Sequence, residues 1–139
     1  MTADAARALL AGFIAGAAGA FATTFLIMVF ISRNSAWQRL PQNRRVPMPL
    51  VGVVFVNLMM LLWTAAGLVF GAVYLRAESD WAGSSVLLPN WRFTLACTAL
   101  IALVVATVAL IRGRVGTMAL LVALIAHLAF AWMLPNLAR

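Results

Sequence analysis

The chain has 139 residues, of which 65% are hydrophobic and only 9% charged. A soluble domain typically carries about 45–50% apolar and about 25% charged residues, and a small domain buries little more than half of the surface its unfolded chain exposes. The composition therefore excludes a water-soluble globule and makes lipid the solvent. Every one of the ten basic residues is arginine, and three acids leave a net charge of +7. Those arginines lie between apolar segments, so membrane topology accounts for them and nucleic acid is not an expected partner.

The first apolar segment covers residues 8–31. Arg7 ahead of it and the small residues Ala18, Gly19 and Ala20 imitate a cleavable signal, but the run is too long for a signal core. We expect it to stay as a membrane span, since about 20 apolar residues cross the hydrocarbon core. Glycines at positions 12, 16 and 19, followed by Thr23, recur at helical spacing. Glycine is costly inside a helix, so Gly12, Gly16 and Gly19 mark a face where another backbone comes close.

Residues 32–48 form a polar, basic, proline-containing connection. Arg33, Arg39, Arg44 and Arg45 could meet anionic headgroups or a partner while Trp37 and Leu40 insert, each arginine contributing about 1 kcal/mol near a charged surface. The plainer reading is a solvated cytoplasmic loop.

The second span covers residues 49–75. Gly67 and Gly71 offer it a packing face. Asn57 lies about 12 Å from its inner end at the helical rise, level with Thr23 and Thr24. Trp63 sits near mid-span, as a packing side chain or one wall of a ligand pocket. The segment Gly52-Val53-Val54-Phe55-Val56-Asn57 resembles the start of the second helix in small four-span fluoride channels. The likeness covers six residues. The phenylalanine- and threonine-rich break of that family's third helix is missing from residues 93–111, and so is the arginine after its first glycine cluster, so no membership follows.

Residues 76–92 form an outer loop of mixed charge, and residues 93–111 and 115–134 form the third and fourth spans. The turn at 112–114 is so short that these two spans must be antiparallel neighbours. The third carries small residues at Ala99, Ala102, Ala106 and Ala109, the fourth at Gly116, Ala119, Ala123 and Ala126. His127 lies about 18 Å along the fourth span, level with Thr64 and Thr98. Two polar layers are expected inside the bundle, Asn57 with Thr23 or Thr24 and His127 with Thr64 or Thr98. The triplet Leu134-Pro135-Asn136 echoes Leu88-Pro89-Asn90. Cys97, the single cysteine, reads as a small apolar residue.

Arginine placement sets direction. Arg33, Arg39, Arg44, Arg45, Arg112 and Arg114 face no acid on one side. Arg7, Arg76, Arg92 and Arg139 are nearly balanced by Asp4, Glu78 and Asp80 on the other. The expected fold is an all-α integral membrane four-helix bundle with up-down antiparallel connections, both termini outside, and loops 32–48 and 112–114 in the cytoplasm beneath the cell's inner membrane. Tyr74, Trp81, Trp91 and Trp132 would anchor the outer boundary and Trp37 the inner.

No span holds a carboxylate, which ion-coupled carriers commonly use. Small multidrug exporters of similar length need an acid in the first span, and this first span has none. No catalytic triad, metal-binding spacing or phosphate loop occurs. The leading expectation is a non-catalytic subunit or accessory component of a larger membrane complex, with lipids and other subunits or further copies of itself as partners. One alternative is a pigment- or haem-binding subunit of an electron-transfer complex with His127 as axial ligand to a tetrapyrrole. Another is an uncoupled channel or carrier formed by oligomerisation.

Overall fold

The computed structural model of the chain describes residues 3–33, 48–80, 91–108 and 114–138, and all the regular structure among them is helical. Four stretches are long and apolar enough to cross a membrane: Ala3–Arg33, Leu50–Ala77, Trp91–Val108 and Gly116–Leu137. Helix is the solution such sequences impose, because lipid offers no partner to an open backbone N–H or C=O. Helix α1 is Ala3–Arg33, α2 is Met48–Asp80 and α3 is Trp91–Val108. The fourth stretch has three parts: α4 (Arg114–Ala126), a π-helical segment (His127–Met133) and α5 (Leu134–Leu137). The helix therefore runs through Pro135 instead of ending before it, as an X-Pro step ordinarily dictates. The predicted third span reaches 111, and its last three residues lie outside the described ones.

Helices α1 and α2 share the most extensive interface. It is built on backbone, not on large side chains. A Cβ on Gly12 would fall on the carbonyl oxygen of Gly67, and one on Gly67 on the carbonyl oxygen of Gly12. Gly16 lies against the backbone of Trp63 and Thr64, Gly71 against Ala8, and Gly19 under the Trp63 indole. All five glycines singled out in the first two spans thus meet in one seam. Between membrane helices, close packing of this kind replaces the hydrophobic drive that water would supply.

Helix α1 also packs along the fourth stretch, and α3 packs on α4 and on the π segment. Helix α2 reaches the other two spans through rings. Phe130 stacks on Phe70 (centroids 4.6 Å apart, planes 10° apart) and on Trp63 (5.6 Å, 27°). Tyr74 meets Phe93 edge-on at 5.1 Å. Such aromatic pairs contribute about 0.5–1.5 kcal/mol beyond simple burial.

Burial is uneven along the molecule. On α1 the buried residues run from Ala8 to Thr23, with none between there and Arg33. On α2 they are Gly67, Gly71 and Tyr74, all in its second half, and on α3 they are Phe93, Thr94 and Cys97, all in its first two turns. The core gathers Ala8, Tyr74, Phe93, Phe130, Ala131 and Leu134 at one end. Toward the Arg33 end few of the described residues are buried.

This corrects two expectations. Tyr74 is not an interfacial anchor; it is 1% exposed and belongs to the core. The alanine stripe of the third span does not face the other helices, because Ala99, Ala102 and Ala106 are exposed; Ala109 lies outside the described residues. The small residues of the fourth span do turn inward, with Gly116 and Ala123 buried and Ala119 and Ala126 half-buried.

Candidate functional site

The polar side chains inside the spans do not form the two expected layers. The α1–α2 seam sets Gly16 against Thr64. Seven residues further along α1 and seven back along α2, Thr23 and Asn57 come level. The expected height is therefore right, but the orientation is not. Asn57 is exposed, and its Nδ2 donates to the Val53 carbonyl one turn back, at 2.8 Å. Thr23 is buried, and its hydroxyl has no partner among the described residues. Helix α2 is apolar on nearly every side, so no hydrophobic stripe fixes which side Asn57 occupies.

The second layer fails for a similar reason. Thr64 donates to the Met60 carbonyl at 2.6 Å and approaches that of Leu61 at 3.2 Å, and Thr98 donates to the Thr94 carbonyl at 2.7 Å. Both hydroxyls are satisfied on their own helices, the usual local recourse of threonine in a helix. His127, half-buried at the head of the π segment, has no hydrogen bond to another described residue.

The polar contact that does cross between helices involves Thr94, which sequence reasoning passed over. Its hydroxyl donates to the Ala131 carbonyl at 3.0 Å, and both residues are buried. Pro135 has no N–H, so the helix cannot close the ordinary i→i−4 bond onto Ala131. One step earlier the Leu134 N–H reaches back to Ala129, an i→i−5 bond of π type. One step later the Asn136 side chain takes the Trp132 carbonyl at 2.8 Å. Together these bonds let the span pass a proline in a medium where an orphan carbonyl costs several kcal/mol. The signals were Pro135 near a span end and a threonine in the first turn of the preceding span.

Of the arginines in the basic connection only Arg33 is described. It is exposed and ends α1, while Trp37, Arg39, Arg44 and Arg45 lie outside the described residues. Trp91 and Trp132 are exposed, Arg92 sits over the Trp91 ring at 5.5 Å, and Trp81 lies outside the described residues. Among the described residues no group of His, Cys, Asp or Glu is placed to hold a metal ion. Cys97 is buried and unpaired.

What the arrangement offers is thus surface and cleft, not a reactive cluster. An uncovered α3 faces outward, and a cleft opens between α1 and α4 at the Arg33 end. No family model, curated protein or solved structure matches the chain.

Proposed function

We propose that this chain is a non-catalytic integral membrane subunit or accessory component of a larger membrane assembly. In this reading it is a four-helix bundle with up-down antiparallel spans in the inner membrane and both termini outside. The observation that carries the reading is the outward face of α3. Beyond its first two turns that helix buries no residue, and Ala99, Ala102 and Ala106 form a narrow stripe continued by Leu95. Small residues do little for a lipid contact, but they let a second helix approach closely. Five glycines already serve the α1–α2 seam, so an alanine face left open on α3 suits a partner helix.

Blue native electrophoresis of the protein extracted in mild detergent tests this. The expected result is a band heavier than the monomer with a stoichiometric partner, lost when Ala102 is changed to Leu. A monomer without a partner in both proteins would reject the reading.

A second reading is favoured by one observation, the half-buried His127 imidazole with no hydrogen bond to another described residue. That leaves a ring nitrogen available to a tetrapyrrole as a single axial ligand. An absorption spectrum of the native complex decides it, since a bound porphyrin or chlorophyll has an intense visible band that His127→Ala would remove.

A further inference from the structure

The loose end of the molecule contains a concave site. Above it, Gly12, Gly16 and Gly19 draw α1 tightly against α2. Below Thr23 the side chains of α1 become large, and Leu26 and Phe30 stand one turn apart facing Met118 and Leu121 of α4. These side chains hold the two backbones apart. Between them lies an open cleft of about 360 Å³ whose lining includes Arg33 and Thr117. Its walls are methyl, methylene, thioether and phenyl groups. Among the described lining residues, Arg33 alone carries a charge.

The electrostatics at the mouth favour an anion. The carbonyl end of a helix repels negative charge, and Arg33, in the last turn of α1, reverses that sign locally. The α4 wall begins at Thr117, within the first turn of that helix, where the positive end of the dipole lies. A guanidinium also matches the paired oxygens of a phosphodiester. A mostly apolar cleft between two spans, with a cationic side chain at the end of α1, has the polarity pattern of one bilayer lipid.

We propose that the cleft between α1 and α4 holds one acyl chain of an anionic glycerophospholipid, with its phosphate on Arg33. The site is independent of the subunit reading above and stands whether or not the chain has protein partners. It requires Arg33, the apolar walls and the empty volume together.

Native mass spectrometry of the delipidated full-length protein tests this, by titration with phosphatidylglycerol and with phosphatidylcholine of the same acyl chains. The expected result is one saturable phosphatidylglycerol adduct, about fivefold tighter than phosphatidylcholine, the preference that one surface charge confers. Arg33→Gln, an exposed position, should remove that preference, whereas Arg92→Gln on α3 should not. Leu121→Trp, which fills the slot, should weaken both lipids, and Met118→Trp provides the same test should the first variant fold poorly. Equal binding of the two lipids to the wild-type protein overturns the proposal, as does phosphatidylglycerol binding unchanged by Arg33→Gln. A photocrosslinker at Met118 that captures polypeptide instead of lipid also overturns it.

Discussion

The Thr94 hydroxyl donates to the Ala131 carbonyl, the oxygen to which residue 135, a proline without an N–H, cannot close the ordinary i→i−4 bond. Two irregularities, a proline inside a span and a π-helical turn before it, are thereby tied to a third helix. Thr94→Val should remove the donor while keeping the shape, and should cost about 1–3 kcal/mol, the penalty of a buried acceptor left alone. Pro135→Ala restores an N–H to that helix, so the cost of Thr94→Val should fall sharply in its background. Unfolding of the four proteins in detergent, analysed as a double-mutant cycle, measures the coupling. Equal costs in both backgrounds would show that the bond does not compensate for the proline.

Gly12 and Gly67 occupy each other's Cβ space. Gly67→Ala should push α1 and α2 apart and destabilise by about 1–3 kcal/mol, the usual cost of overpacking. Gly52 is the internal control. It lies on the same helix, and a Cβ there meets nothing within 4 Å. Gly52→Ala should stabilise by up to about 1 kcal/mol through helix propensity alone. Thermal unfolding of both variants in one detergent checks the opposite signs.

Hydropathy made the four spans legible, because nothing in lipid competes with helix. The contact faces of α1 and α2 were legible too, from the spacing of Gly12, Gly16 and Gly19 and of Gly67 and Gly71, but not that these two faces meet each other. The side of α2 carrying Asn57 was not legible. A helix apolar all round has no stripe to fix its rotation, and the height of Asn57 was readable while its azimuth was not. The alanine stripe of α3 misled for a related reason. Alanine is common in membrane helices and costs nothing there, so its spacing carries less information than that of glycine. The Thr94–Ala131 bond joins residues far apart in sequence, and only the folded chain shows that Thr94 stands beside the Ala131 carbonyl, one turn before Pro135.

The proposed orientation rests on six arginines without an acid in the segments around Arg33 and Arg112, against a near balance elsewhere. A reporter active only in the cytoplasm should be silent when fused after Arg139 and bright when inserted between Asn43 and Arg44. Changing Arg44, Arg45, Arg112 and Arg114 to Glu should weaken the bias and give a mixed population. A bright fusion at Arg139 in the unaltered chain would invert the topology.

Thr23 gives the sharpest contrast with Thr94. Both hydroxyls are buried, and Thr23 is only 2% exposed, yet one is bonded across helices and the other has no partner among the described residues. Burying a hydroxyl without a partner costs about 1–3 kcal/mol. Thr23→Val keeps the branched shape and deletes the unsatisfied group, so it should leave stability unchanged or raise it by up to that amount, while Thr94→Val lowers it. Unfolding midpoints of the two variants, measured side by side, give the test. A loss at Thr23 as large as the loss at Thr94 would mean that its hydroxyl is bonded in the membrane, and the Asn57 amide at the same height would be the first partner to examine.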